Sequence, residues 1–231
     1  TRRLLCQAQV IENKKNINAL LAADAFEYIA YYDISISNYF RSITGERSGI
    51  FDIYYNNSTE LRYGENPHQK STLFNVGAPG FEQIFEKLHG KELSYINILD
   101  IDAAYNLINE FDEPACAILK HTNPCGVATG NDIKEAYMKA FSTDTVSPFG
   151  GIVIVNRKID MAAAEEIDKI FTEIVIAPFY DEDALSFLFK KKNRRVIKFT
   201  KPDINFDNEL RSVTGGLLLQ DRDKLVVNES E

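Results

Sequence analysis

The segment Lys120-His121-Thr122-Asn123-Pro124-Cys125-Gly126 puts a cation, an imidazole and a carboxamide directly after the apolar run Ala117-Ile118-Leu119. A charged Lys120 beside His121 disfavours imidazolium, so the ring stays neutral and able to accept a proton near pH 7. The same ammonium can stabilise negative charge that develops on a substrate. Neighbours on a regular strand point to opposite faces, so both side chains can act on one ligand only where the chain leaves strand geometry. Pro124 and Gly126 are the expected break. The plainer alternative gives His121 a backbone hydrogen bond and leaves Lys120 in solvent.

Two further clusters could serve the same ligand. Arg62-Tyr63-Gly64-Glu65-Asn66-Pro67-His68-Gln69 contains a guanidinium fork suited to phosphate or carboxylate, and a Tyr able to stack on a heterocycle. A turn has a similar composition. Ser142 to Gly151 ends in Ser147-Pro148-Phe149-Gly150-Gly151, whose paired glycines allow a ligand to approach the backbone closely or simply make a tight turn. His89, ahead of Gly90, is expected to end a helix beside its glycine cap and is left out of the site.

The elements around these clusters alternate. Helices are expected at 102–111, 133–141 (capped by Asn131), 162–171 and 183–190, and strands at 116–119, 152–155, 174–177 and 195–199. That order predicts parallel strands covered by crossover helices, a three-layer α/β/α fold, with ligands beyond the carboxyl ends of the strands. Upstream, Ile17, Leu20, Leu21, Phe26 and Ile29 keep helical spacing and predict an amphipathic helix over 16–40, although Ile34-Ser35-Ile36-Ser37 also alternates as a strand would. The polar stretch 42–65 is expected to be a connector.

A net charge of −8 gives no general attraction to nucleic acid or anionic membrane. Apolar runs as short as Ile152–Val155 exclude a membrane-spanning helix. Three dispersed cysteines, Cys6, Cys116 and Cys125, predict a reducing, cytoplasmic setting, and with three scattered histidines they announce no metal site. Glycine-rich dinucleotide and P-loop fingerprints are absent. Pro124-Cys125 lacks the second Cys of a zinc deaminase, which leaves that reading a distant third. The chain opens on Thr-Arg-Arg without an initiator Met and reads as an interior portion of a longer protein.

In this order the clusters resemble the transformylase part of the bifunctional purine biosynthesis family, the phosphoribosylaminoimidazolecarboxamide (AICAR) formyltransferase/IMP cyclohydrolases. The resemblance rests on Leu61–Gln69, Lys120–Gly126, Ser147–Gly151, Glu173-Ile174-Val175-Ile176-Ala177-Pro178 and Gly215-Gly216-Leu217-Leu218-Leu219-Gln220-Asp221. It implies that residues 1–50 are the helical end of the cyclohydrolase domain with its linker. Residues 51–231 would be the first, cytidine deaminase-like half of the transformylase domain, without zinc. The implied activity is transfer of a formyl group from 10-formyltetrahydrofolate, as co-substrate, to the 5-amino group of AICAR, in a homodimer.

Carried over by position, the resemblance makes His121 the proton acceptor and Lys120 the transition-state stabiliser, with His68 assisting. Arg62, Tyr63, Asn66, His121, Asn123, Gly150 and Glu173 would contact the nucleotide; the folate contacts are not assigned. Ile96 stands where the family usually has Asn, and family members run to more than twice this length. The rival reading is a noncatalytic nucleotide-binding or interaction module of the same fold.

Overall fold

The computed structural model describes residues 2–45, 56–75, 79–201 and 208–223, with only the backbone path given before residue 16 and at 56–57. The chain divides into two units between residues 57 and 58. The Cys6 side chain and residues 46–55 of the expected connector lie outside the described residues.

Among the described residues, the first unit contains the helix α1 (Arg2–Thr44), longer than the predicted 16–40 and continuous through the alternating Ile-Ser stretch. Ser35 satisfies its hydroxyl locally, donating to the Tyr31 carbonyl at 2.9 Å, so the period-two pattern imposes no strand. The apolar stripe is exposed in the described residues, Leu20 at 65% and Phe26 at 72%.

A two-stranded sheet of β1 (Asn56–Leu61) and β2 (Ser71–Asn75) starts at the boundary and leads into the second unit; β1 falls within the expected connector. Then come α2 (Phe81–Ile84), β3 (Phe85–His89), α3 (Tyr95–Ile108), β4 (Ala115–Lys120), β5 (Asn123–Thr129) and α4 (Ile133–Thr143). They are followed by β6 (Ile152–Val155), α5 (Met161–Asp168), β7 (Ile174–Ala177), α6 (Glu182–Leu188) and β8 (Arg195–Phe199). A separate antiparallel hairpin, β9 (Asn208–Val213) with β10 (Gly216–Asp221), ends the described chain.

Six strands form the central sheet in the order β3-β8-β7-β6-β4-β5. Its inner strands are apolar on both faces because helices cover both sides. Ile152, Ile154, Ile174, Ile176 and Ile197 pack with Ile101, Ala104 and Ile108 of α3. Val153, Val155, Val175 and Val196 pack on the other side with α4, α5 and α6, through Ala136, Ala140, Ala164, Ile167 and Leu188. Each such Val or Ile, once fully buried, contributes about 1.5–3 kcal/mol. The three-layer α/β/α expectation holds.

Three details differ from the sequence expectation. Only β6, β7 and β8 run parallel; β4 is antiparallel to both β5 and β6, and β3 to β8. Pro124 and Gly126 lie within β5, an edge strand, and bulge it: Leu119 pairs with Pro124 and Ile118 with Gly126, which leaves Cys125 out of register. Residue 126 has to be glycine, since a Cβ there would overlap the Ala140 carbonyl and the Thr143 hydroxyl of α4. His89 ends a strand rather than a helix, stacked on Phe189 at 4.5 Å. The cap of α4 is Asp132, whose Oδ1 accepts from the Glu135 N–H at 2.8 Å, one residue beyond the expected Asn131.

Candidate active site

Because β4 is antiparallel to β6, its carboxyl end at Lys120 meets the amino ends of β6, β7 and β8. Gly150 and Gly151 precede β6, Glu173 precedes β7, and Arg195 begins β8. Lys120 and His121 thus stand at the carboxyl end of β4, as the carboxyl-end rule expects, whereas Gly150, Glu173 and Arg195 lie at the amino ends of the parallel strands, opposite to it. A reversed strand in the sheet accounts for the difference.

Backbone bonds join these segments. The Gly150 N–H donates to the Phe171 carbonyl at 2.7 Å, the Glu173 N–H to the Gly151 carbonyl at 2.9 Å, and the Arg195 N–H to the Glu173 carbonyl at 2.9 Å. Gly150 has φ +75°, a conformation its lack of a Cβ makes inexpensive. Lys120 Nζ crosses from β4 to donate to the Phe149 carbonyl at 3.1 Å, so its ammonium is held at the Gly150 loop.

His121 and Thr122 form a two-residue hairpin turn between β4 and β5, with φ +52° and +63°. Such turns normally use Asn-Gly or Gly-Gly because both residues are left-handed. Two residues with Cβ atoms there, one β-branched, store about 1–3 kcal/mol each. The chain first leaves strand geometry at this turn and departs from it again at the Pro124–Gly126 bulge. The Thr122 N–H donates to Asp100 Oδ1 at 2.6 Å, while Thr122 Oγ1 and Asn123 Nδ2 donate to the His121 carbonyl at 2.6 and 2.8 Å. His121 is exposed, Lys120 half-buried.

On the other side stands Glu173. Its Oε1 accepts from Arg195 Nη1 at 2.7 Å and from Asn97 Nδ2 at 3.3 Å. Asn97 also caps α3 reciprocally with Ser94, whose N–H donates to Asn97 Oδ1 at 3.1 Å. Burial pulls the Arg195 guanidinium down while Glu173 holds it up, and Arg62 and Tyr63 act on the same charge. The Tyr63 carbonyl accepts from the Tyr95 N–H at 3.3 Å, which ties the Arg62-Tyr63 segment to the start of α3. The Arg62 guanidinium lies 5.1 Å from the Tyr63 ring centre.

Arg62, Tyr63, Lys120, His121, Gly150 and Glu173 are thus linked through one bonded framework. Asn123 serves the turn through the His121 carbonyl. Asn66 is engaged in its own turn, where Gln69 Oε1 accepts from its backbone N–H at 2.7 Å and from its Nδ2 at 3.1 Å; His68 stays exposed in that turn. Sequence reasoning missed Asn97, Asp100 and Arg195. The first two were legible as polar residues three apart on an otherwise apolar helix face; Arg195 gave no signal beyond being a charge at the start of an apolar strand.

A cavity of about 470 Å³ opens beside Arg62 over Leu61, Leu73, Phe85 and Leu93, and neither His121 nor Glu173 lines it. Among the described residues no cluster of three His, Cys, Asp or Glu is arranged to hold a metal. No helix among them is long and apolar enough to cross a membrane.

A protein described as "Bifunctional purine biosynthesis protein PurH" from Caldicellulosiruptor saccharolyticus is 50% identical over 218 residues, covering 90% of this chain and 42% of its own length. PurH proteins from Petrotoga mobilis and Bacillus cereus AH187 are 46% and 45% identical, each covering 95% of this chain and 44% of their own. The chain thus spans less than half the length of these relatives. The family described as the AICARFT/IMPCHase bienzyme matches residues 5–231, so nearly the whole sequence falls within it, and the chain belongs to that family.

Proposed function

We propose that this chain carries the acid–base pair and part of the nucleotide site of an AICAR transformylase, within a bifunctional transformylase/IMP cyclohydrolase of purine biosynthesis. The observation that carries the reading is the reach of Lys120 to the Phe149 carbonyl, 3.1 Å, which brings the base-bearing turn and the glycine loop to one place. On this reading residues 1–50 are the end of the cyclohydrolase domain and 51–231 the first transformylase half.

The AICAR 5-amino group is a weak nucleophile, its lone pair delocalised into the ring that bears the carboxamide. Its nitrogen attacks the formyl carbon of 10-formyltetrahydrofolate while neutral His121 accepts the amine proton. The oxyanion of the tetrahedral adduct is stabilised by the Lys120 ammonium. Collapse breaks the bond to the folate N10, which leaves with a proton as tetrahydrofolate and gives the 5-formamido nucleotide. Arg62 suits the 5′-phosphate, Tyr63 the base, and Glu173 the nucleotide's donors, with Asn66, Asn123 and Gly150 lending polar contacts and His68 assisting.

His121 is exposed, whereas formyl transfer needs water kept out. We therefore assign the covering of the site and the folate contacts to the remaining length seen in the relatives, or to a partner protomer of a cytoplasmic homodimer. The test measures AICAR binding by calorimetry and tetrahydrofolate release from 10-formyltetrahydrofolate, for this chain and for His121→Ala. The reading expects AICAR binding, with any turnover reduced about 10²–10⁴-fold in the variant. Binding without turnover would make this chain the nucleotide-binding module of the longer enzyme. No AICAR binding at all would sink the assignment.

A further inference from the structure

We propose that Asp100 is the positioning residue of the base-bearing turn: from beneath the hairpin its carboxylate clamps the His121-Thr122 peptide and holds His121 in the left-handed conformation that presents its imidazole. The inference rests on the transformylase reading for the purpose of the turn, but not for the clamp itself.

The peptide between His121 and Thr122 is held from both ends. Its oxygen accepts from Thr122 Oγ1 and Asn123 Nδ2, and its N–H donates to Asp100 Oδ1 at 2.6 Å. The first two donors belong to the hairpin and move with it. Asp100 belongs to α3, so it alone among these partners ties the turn to another element. A bond from an N–H to an ionised carboxylate is of the strong kind, and Asp100 is only 6% exposed. Neither His121 nor Thr122 favours φ above +50°, so the turn needs such an external hold.

The support behind Asp100 is rigid. Ile101 and Ala104 anchor α3 in the core, and the Ser94–Asn97 cap fixes its first turn. Asn97, three residues before Asp100 and on the same face, bonds Glu173. One turn of helix thus spaces the base-bearing hairpin from the acid on the far side of the site. Burial, helped by Glu173, outweighs the Thr122 N–H and His121 and leaves the Asp100 carboxyl above the usual carboxylate value. A proton taken up by His121 is met by a fixed charge of opposite sign.

The test compares Asp100→Ala, which removes the acceptor, with Asp100→Asn, which retains an oxygen in its place. Amide hydrogen exchange by NMR reads the clamp directly. In Asp100→Ala the Thr122 N–H is expected to exchange roughly 10-fold faster or more while Ala117 and Leu119 keep their rates, and Asp100→Asn retains most of the protection. In turnover, the Ala variant should lose roughly 100-fold in kcat with KM for the nucleotide nearly unchanged, and the Asn variant should recover most of the loss. If Asp100→Ala does not fold, Asp100→Leu, which fills the space without an acceptor, replaces it. Unchanged Thr122 exchange in the acceptor-less variant overturns the clamp, as does equal loss of protection in the Asn variant. A wild-type chain that neither binds AICAR nor turns over instead defeats the transformylase reading, and the exchange comparison still decides the clamp.

Discussion

Arg195 and Glu173 meet side by side at the starts of β8 and β7, Nη1 to Oε1 at 2.7 Å, with the arginine side chain 4% exposed and the glutamate 38%. Arg195 also donates through Nε and Nη2 to the Glu92 carbonyl at 3.2 and 2.9 Å, so the guanidinium is fixed even where its counter-charge faces solvent. Glu173→Ala leaves that buried cation unpaired. The expected loss is about 1–3 kcal/mol, below the usual figure for a fully buried pair because the carboxylate is partly hydrated. Urea unfolding of Glu173→Ala, Arg195→Met and the double variant forms a cycle that reads the coupling. A coupling indistinguishable from zero would mean the pair orients ligand without stabilising the fold.

A second pair bears on pH dependence. Arg194 is fully buried, and its Nη2 lies 2.7 Å from Asp168 Oδ1, which Lys191 also approaches at 2.8 Å. Burial opposes ionisation of Asp168, but Lys191 and Arg194 outweigh it and hold the carboxyl below its usual range. A carboxyl lowered in the folded state adds stability that is complete above its unfolded value, about 3.9, and is lost as pH falls through the lower folded value. Asp168→Asn should cost about 3 kcal/mol at pH 7. The gap between wild type and variant should then begin to narrow below about pH 4 and close as pH falls through the lower folded value. A gap that persists unchanged to pH 2 would place its origin in packing instead of charge.

Gly126→Ala tests the contact between the β5 edge and α4. The added methyl has backbone, not a flexible side chain, in its way at Ala140. An overpacked site of this type typically costs 1–3 kcal/mol, so a drop of about 2 kcal/mol in unfolding free energy is expected. A neutral substitution would show that β5 can slide off the helix at little cost.

Thr122→Gly separates strain from function. Glycine removes the penalty of a β-branched residue at φ +63° while keeping the N–H that Asp100 accepts. Partly offset by the flexibility glycine adds to the unfolded chain, the change should stabilise the protein by up to about 1 kcal/mol. It should also slow turnover by loosening His121. Thermal midpoints and kcat measured together check both signs, and a variant both less stable and fully active would contradict the account of the turn.

The fold was legible where the signal is local. Ile152–Val155, Ile174–Ala177 and Arg195–Phe199 stand where their apolar runs predict, and the helices between them follow from length and capping residues. Strand direction was not legible: β5 is a half-polar edge strand containing Pro124, and nothing in its composition shows that the chain folds straight back after Lys120. Missing that hairpin made the sheet seem wholly parallel, although Lys120-His121 does stand at the carboxyl end of its strand as expected. His89 misled for a related reason, since Phe85 to Gly90 carries a glycine stop that suits a strand as well as a helix. The candidate site residues were drawn from short motifs, each local in sequence. Asn97, Asp100 and Arg195 are brought to them only by tertiary packing.

The position of β3 has a consequence for how the molecule is made. This edge strand, carrying Phe85, pairs with β8, whose last residue emerges about 110 residues later. At a synthesis rate of roughly 5–20 residues per second, β3 waits on the order of 5–20 s on a growing chain before its hydrogen-bonding partner exists. During that interval its open edge and the aromatic cluster of Phe81, Phe85 and Tyr105 are without the Phe199 that later closes over them. The β4–β5 hairpin, its strands separated by only the two turn residues, can form as soon as it leaves the ribosome. The half of the central sheet that bears His121 is thus built early, and the last strand of that sheet to arrive brings Arg195 to Glu173.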